Sequence, residues 1–296
     1  MPSIDKLKRN RKRNFLRTVN QFDEAVYSER NLASQRHLLK RLQSALYSVN
    51  RGDVYHRIAN CQKGNRCGSL WCKHCRGQAS QAAANKILDR VNLKGYENAD
   101  LLHVTAPVGL AQFNCEDVNR ILHRDELRWK RIRKKNNFWI EAVYEFEFVN
   151  YRYLLKSDGS DMKKVQMRQM VEATRIKNTE FIFVHWHGIT DLHREKIDNV
   201  FGKEYHIGDH ALAKTSDSGL YVQKLHADKD CDYNIRKIGS YPFKSAYRFK
   251  HTFKGSDYTN GEYFTTDELG RLVALYQDVQ GRQWRRLRRH CGRVVN

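Results

Sequence analysis

The sequence predicts an α+β protein, with an α/β core as the alternative, flanked by basic helices and carrying a small zinc-binding module. Three observations support this. Strand-like segments alternate with segments of helical periodicity along most of the chain. A hydrophobic content of 40% over 296 residues is enough to form a buried core. Four cysteines close together in sequence mark the module.

The first half of the chain predicts three helices and two strands. Residues 4–48 show helical spacing after a very basic start, and the Ala-rich segment GQASQAAANKILDRVNL predicts a second helix. Residues 101–106 are typical of a buried strand that Pro107 would end. Residues 115–133 favour a third helix, and FWIEAVYEFEFV alternates as a strand does.

The second half repeats this alternation after a polar span at 156–178, which we interpret as an excursion between strands whose role the sequence does not indicate. Strands are predicted at FIFVHWHGIT and GLYVQKL, and helices at DLHREKIDNVF, at DKDCDYNIRKIGSY and over 265–290. The elements group into four predicted regions: a basic helical N-terminal region (1–55), a zinc-binding module (56–80), a core (81–255) and a basic C-terminal helix (256–296).

The net charge of +21 and the pI near 9.7 favour a polyanionic partner. Seven Lys or Arg lie in residues 6–17, six in 128–135 and six in 282–293. Any one run is equally well explained as a solvated face or tail. All three together, beside Trp129 and Trp284, favour nucleic acid over an anionic membrane surface. The candidate DNA-binding side chains are Lys130, Arg131, Arg133, Arg285 and Arg286.

No membrane partner is expected. No stretch approaches the ~20 apolar residues that cross a bilayer, and the N-terminal MPSIDKLKRNRKRNF lacks the apolar centre of a signal peptide. We therefore expect a soluble, cytoplasmic protein.

The cysteine cluster has the pattern C-x5-C-x4-C-x2-C, formed by Cys61, Cys67, Cys72 and Cys75. Two pairs of thiolates separated by a short loop fit tetrahedral Zn²⁺, with His56 or His74 as possible replacements for one thiol. A disulfide framework is the alternative, and a cytosolic location disfavours it. The predicted zinc site is structural, because four protein ligands leave no coordination position for chemistry.

Two histidines one residue apart stand out in the strand at 181–190. Alternate residues of a strand share a face, so His185 and His187 point the same way. In the preceding strand Glu141, Val143, Glu145 and Glu147 also share a face. The alternatives are a chance H-x-H pair and a solvated acidic face. If the two faces meet, two imidazoles and at least one carboxylate form a mixed N/O site with open positions, which suits Mn²⁺ or Mg²⁺ acting on a phosphate.

The order of three motifs resembles the HUH endonuclease superfamily, and in particular rolling-circle replication initiators of plasmids and phages. LLHVTAP (101–107) resembles its first, strand-forming motif, FVHWHGI (183–189) its histidine–hydrophobe–histidine motif, and SYPFK (240–244) its Tyr-x-x-Lys motif. IEAVY is similar to the strand that supplies the third, acidic ligand. The upstream CKHCR resembles a cysteine cluster of some plasmid initiators.

The resemblance implies a central antiparallel sheet and a metal-dependent, site-specific nickase that acts on a single-stranded or hairpin replication origin. The catalytic ion would be held by His185, His187 and Glu141. Tyr241 would be the nucleophile, giving a 5′-phosphotyrosine and a free 3′-OH, and Lys244 would assist it. Tyr233, in DYNIRK, also fits a loose Tyr-x-x-basic pattern and is the alternative nucleophile. Host replication proteins would be further partners, in a bacterial cytoplasm.

Two other functions fit some of the same residues. A transposase or mobilisation relaxase would use the same chemistry. A non-catalytic zinc-containing DNA-binding protein would explain the charge and the cysteines but not the facing His and Glu residues.

Overall fold

A five-stranded antiparallel sheet organises the computed structural model, which describes residues 29–62, 65–136, 138–155, 165, 167–168, 170–172, 180–202, 204–205, 220–239, 248–250, 261–280 and 288–291. Its strands, in the spatial order β4-β1-β3-β2-β7, are β1 (Leu102–Gln112), β2 (Ile140–Asn150), β3 (Glu180–Thr190), β4 (Tyr221–Lys224) and β7 (Arg288–Cys291). A separate two-stranded ladder pairs β5 (Arg248–Lys250) with β6 (Gly261–Tyr263). Together with the flanking helices, this sheet confirms the predicted α+β class.

The helices surround the sheet. They are α1 (Glu29–Ser48), α2 (Gly52–Ala59), α3 (Lys73–Lys94), α4 (Cys115–Lys135), α5 (Tyr151–Leu155), α6 (Arg194–Ile197), α7 (Cys231–Gly239) and α8 (Thr266–Gln280), with a 3-10 turn at Asn98–Asp100 and a π-helical turn at Asp198–Gly202. None of the described helices has both the length and the apolar character needed to cross a membrane.

Strand β1 runs through the proline that was expected to end it. Pro107 pairs with His185 of β3, and the register shifts between Pro107 and Gly109. Strand β4 pairs only with residues 102–105 of β1, so Pro107 lies beyond that ladder and beside an irregularity. A sheet tolerates proline at these two kinds of position, because the missing N–H interrupts no ladder there.

Helix α4 packs on the sheet face that carries Trp186. Trp129 of α4 lies 5.5 Å from Trp186 between ring centroids, and both side chains are fully buried. Beside them the buried carboxylate of Asp125 accepts hydrogen bonds from Trp129 Nε1 at 3.1 Å and from the hydroxyls of Tyr205 and Tyr144. Three donors satisfy this carboxylate, so the polar group is stable inside an apolar layer.

The opposite face carries Ile189 and is covered at that end by α3 and α7. A second apolar cluster joins Ile189 to Ile87 and Val91 of α3 and to Ile235 of α7. Because side chains alternate along a strand, this is also the face of His185 and His187. The histidines therefore lie in the layer bounded by α3 and α7, across the sheet from α4.

The first and last described helices pack against each other. A Cβ added to Gly270 of α8 would lie 1.9 Å from the backbone oxygen of Ala45 of α1, so only glycine permits this approach. Just beyond α1, Arg51 forms two hydrogen bonds with Asp278 of α8, at 2.9 and 3.0 Å. Helices from opposite ends of the chain thus belong to one packed unit.

The helix predicted over 265–290 is shorter in the structure. Helix α8 ends at Gln280, and Arg288–Cys291 forms strand β7, which pairs with Ile140–Val143 of β2. The helix predicted over 4–48 is described only from Glu29, and most of the 156–178 span lies outside the described residues.

Candidate metal centre

The pairing of β2 with β3 brings the acidic face and the histidine face together. Glu145 lies opposite His185, and Val143 lies opposite His187. Directly opposed residues of an antiparallel pair point to the same side of the sheet. A carboxylate and two imidazoles therefore meet above the two central strands.

One oxygen joins the three groups. Oε2 of Glu145 lies 3.2 Å from Nε2 of His185 and 2.9 Å from Nε2 of His187. Burial on its own would raise the pKa of the Glu145 carboxyl, but the hydrogen bonds from the two imidazoles hold that pKa well below its usual range. The Glu145 carboxylate is therefore ionised at neutral pH and offers a negative ligand between two nitrogen ligands.

The sequence prediction named Glu141 as the acidic ligand, and the structure places Glu145 there instead. Glu141 shares the face but lies opposite Ile189, four residues along β2 from Glu145. Among the described residues, the ligand atoms of Glu145, His185 and His187 all lie within 4.8 Å of one another. These three residues are called the Glu145 group. Alternation alone identified the face; only the register distinguishes the two glutamates.

Strand β1 supplies two further side chains that the sequence analysis missed. Oγ1 of Thr105 forms a 2.8 Å hydrogen bond with Nδ1 of His187, in a direction that depends on the tautomer. The ring of His103 stacks on that of His187, with centroids 5.5 Å apart and planes 15° apart. Burial, with the neighbouring His187, lowers the pKa of His103 to about 4, so this imidazole is neutral at pH 7. The HVT sequence places both residues on one face, and that alternation was the available signal.

The second group is formed by Cys61, Cys67, Cys72 and Cys75, which are free thiols within 4.8 Å of one another. Sγ of Cys75 lies 3.6 Å from Sγ of both Cys61 and Cys67. Tetrahedral Zn²⁺ with bonds of about 2.3 Å has S···S edges of about 3.8 Å, whereas a disulfide needs about 2.0 Å. The spacing fits a metal ion and excludes disulfides within the cluster as described.

Local backbone geometry holds these thiols in place. The backbone N–H of Gly68 donates to Sγ of Cys75 at 3.2 Å, and that of Cys67 donates to Sγ of Cys61 at 3.5 Å. Gly68 has a φ of 71°, a left-handed conformation that favours glycine after Cys67. Cys72 is the N-cap of α3, which places Cys75 in the first turn of that helix.

Trp71 and Tyr276 connect the cysteine module to the strand that carries Glu145. The Trp71 and Tyr276 rings are 6.1 Å apart at 78°. The Tyr276 hydroxyl donates to the carbonyl oxygen of Phe146 at 2.6 Å and accepts from the N–H of Phe146 at 3.0 Å. This tyrosine of α8 thus fixes the backbone of β2 at the residue next to Glu145.

Replacing Tyr276 with Phe would leave both backbone groups of Phe146 without this buried partner. We expect the free energy of unfolding to fall by roughly 2 kcal/mol, the usual effect of unsatisfied buried polar groups. We also expect weaker Mn²⁺ binding at the Glu145 group, measured by calorimetry, because β2 is less firmly held there. Tyr47→Phe is the control, since the Tyr47 hydroxyl is exposed and bonds to His56. Equal stability and Mn²⁺ affinity in the wild-type protein and Tyr276→Phe would contradict this role.

The structure describes only some of the residues predicted to carry out or assist the covalent step. Tyr241 and Lys244 lie outside the described residues. Tyr233 is 46% exposed on α7, next to the buried Asn234 and Ile235, and Lys237 Nζ lies 5.7 Å from the centre of its ring.

The predicted DNA-binding residues of α4 lie in the layer across the sheet from the imidazoles. Arg131 forms a two-point ion pair with Glu204 at 3.0 and 2.6 Å, Lys130 lies 3.8 Å from Glu126, and Arg133 donates to the carbonyl of Trp129. The structure therefore does not bring these cations together with the histidines. Arg285 and Arg286 lie outside the described residues.

The Glu145 group can hold a divalent ion. Three ligand atoms converge from one side, and Thr105 orients one ligand imidazole in the manner of outer partners of metal-bound histidines. Three protein ligands leave open coordination positions for water or an oxygen of a substrate. The Glu145 side chain is 18% exposed, so the group is not sealed from solvent. No protein-family model, no curated protein and no solved structure matches this chain.

Proposed function

We propose that this protein is a metal-dependent endonuclease that nicks and rejoins single-stranded DNA, acting as a rolling-circle replication initiator. The observation that carries the proposal is the convergence of Glu145, His185 and His187 on one position of the central strands. The net charge of +21 supports a polyanionic substrate. The ordered motifs around residues 101–107, 183–189 and 240–244 support the reaction class.

The fit of the donor set favours Mn²⁺ or Mg²⁺ at this group and Zn²⁺ at the cysteines. When bound, the catalytic ion would act as a Lewis acid toward a non-bridging oxygen of the scissile phosphate. Glu145, His185 and His187 would bind it, and the hydrogen bond between His187 Nδ1 and Thr105 Oγ1 would keep the His187 ring oriented. The same donor set also suits ferrous iron, and reloading with single metals separates these possibilities.

Tyr241, or Tyr233 as the alternative, would carry out the covalent step. The phenol oxygen attacks the scissile phosphorus, the bond from phosphorus to the 3′ oxygen breaks, and a 5′-phosphotyrosine forms. The phenol loses its proton and the leaving 3′ oxygen gains one, which leaves a 3′-OH that a polymerase can extend. A phenol with a pKa near 10 is a weak nucleophile at neutral pH, and Lys244 is the proposed source of help.

The proposal is tested with protein that has been freed of loosely bound divalent ions by gel filtration and retains its zinc, together with a randomised single-stranded DNA 40-mer. We expect a covalent protein–DNA adduct that survives SDS after reloading with Mn²⁺ or Mg²⁺, and none in EDTA. Tyr241→Phe should abolish the adduct and leave DNA binding unchanged, whereas Tyr233→Phe should retain it.

Each other result has a definite meaning. An adduct in Tyr241→Phe that is lost in Tyr233→Phe would make Tyr233 the nucleophile. DNA binding without any adduct in the wild-type protein would favour a non-catalytic DNA-binding protein. Sequencing the captured DNA would give the preferred cleavage site. The kind of DNA element that contains this site would distinguish a replication initiator from a transposase or relaxase.

A further inference from the structure

Polar side chains continue from the Glu145 group across the sheet to the edge strand β4. Thr105 of β1 lies between His187 of β3 and Tyr221 of β4, and the register places all three on one face. In the next row His103 lies opposite Gln223. Two adjacent rows of side chains therefore lead from the imidazoles to Tyr221 and Gln223.

The contacts along these rows agree with the register. Thr105 bonds to His187, and His103 stacks on His187. The Gln223 side chain interacts with His103. The amide Nε2 of Gln223 donates a hydrogen bond to the Tyr221 hydroxyl. From His187 to Tyr221 there are two interstrand spacings, roughly 10 Å between backbones.

Two features of this edge point to a ligand. Tyr221 is 56% exposed, which is unusual for a large aromatic side chain, and it lies on the same face of the sheet as the buried His187. His103 is 8% exposed, and its Nε2 atom has no hydrogen-bond partner among the described residues. An exposed ring beside an amide offers a flat polar ligand both stacking and hydrogen bonding.

We propose that Tyr221 and Gln223 form a nucleobase subsite beside the Glu145 group. An unstacked base of single-stranded DNA would pack on the Tyr221 ring, and the Gln223 amide would hydrogen-bond to its edge. Aromatic rings bind bases of any sequence in this way, because every base has a π-face. This inference rests on the proposed function, since it places the base near a phosphate held at Glu145, His185 and His187.

The subsite is tested by DNA affinity, with the full-length protein and a fluorescein-labelled random 30-mer at fixed salt concentration. Tyr221→Ala should raise the Kd roughly tenfold, as loss of one stacked base does. Tyr221→Phe keeps the ring and should stay within about twofold of the wild-type protein. Gln223→Ala should raise the Kd about threefold, consistent with the loss of one hydrogen bond. Tyr263→Ala is the matched control, because Tyr263 is 60% exposed on the separate β5–β6 ladder.

A second readout separates binding from chemistry. At saturating DNA the rate of adduct formation in Tyr221→Ala should stay within about threefold of the wild-type rate. Wild-type affinity in Tyr221→Ala would overturn the subsite. Loss of the adduct in Tyr221→Phe would overturn it as well, because the hydroxyl rather than the ring would then be required. If the wild-type protein forms no adduct with any metal, the proposed nickase fails, and the affinities of the Tyr221 variants still decide the subsite.

Discussion

Glu145→Gln is expected to reduce the proposed metal-dependent DNA cleavage by at least about a thousandfold. The substitution keeps the shape of the side chain but removes its negative charge. In the described structure, Glu145 is the one carboxylate in the group with His185 and His187. Loss of the ion forfeits several kcal/mol of charge stabilisation in the transition state, and roughly 4 kcal/mol corresponds to this factor. The rate of adduct formation at saturating Mn²⁺ measures the effect, and the Mn²⁺ affinity should fall in parallel.

Glu141→Gln is the matched control for Glu145→Gln. It removes the same charge from the same face of β2, four residues away and opposite Ile189. We expect its cleavage rate to stay within about threefold of the wild-type rate. If Glu141→Gln is inactive and Glu145→Gln is active, the ligand assignment made from the register is wrong.

Cys72→Ser is expected to cause the largest loss of stability. Cys72 is fully buried and begins α3, the helix that also contributes Cys75. A structural zinc ion couples its binding free energy to folding, so loss of one ligand should lower the free energy of unfolding by at least about 3 kcal/mol. That change corresponds to a Tm roughly 5 °C lower in a chain of 296 residues. Elemental analysis should find one zinc per wild-type chain and less than one in the variant.

Cys115→Ser controls for the loss of a thiol. Cys115 is partly buried at the start of α4 and accepts a hydrogen bond from Asn119 at 3.1 Å. We expect this variant to keep its zinc and to change the free energy of unfolding by less than about 1 kcal/mol. Wild-type protein without zinc, or Cys72→Ser with full zinc content and an unchanged Tm, would rule out a structural metal at the cysteines.

The sequence was informative about faces and much less so about register. The period of two in β2 and β3 was sufficient to predict that glutamates and histidines could meet. It could not choose between Glu141 and Glu145, because sliding one strand by an even number of residues keeps every face and changes every pair. That choice depends on the pairing of whole strands, which is a long-range property.

Local signals also failed where long-range packing decides the outcome. Pro107 reads as the end of a strand, yet its place beyond the β4 ladder lets β1 continue to Gln112. The arginines after α8 continue a helical pattern, yet Arg288–Cys291 pairs with the edge of β2. The amphipathic pattern of α4 correctly predicts a helix, but nothing local indicates which side of the sheet it covers. Trp186 points to the face of β3 opposite that of the histidines, and Trp129 of α4 packs against it, which places α4 on that face.

The close crossing of α1 and α8 bears on when the protein can finish folding during synthesis. Ala45 and Gly270 meet at that crossing, and they are 225 positions apart (270 minus 45). At about 5–20 residues per second, the ribosome needs roughly 10–45 s to make the intervening chain. Tyr276 emerges after Gly270 and anchors β2 beside Glu145. A nascent chain can therefore pair β2 with β3 well before α8 secures them, and the metal-binding geometry would mature only after α8 has been synthesised.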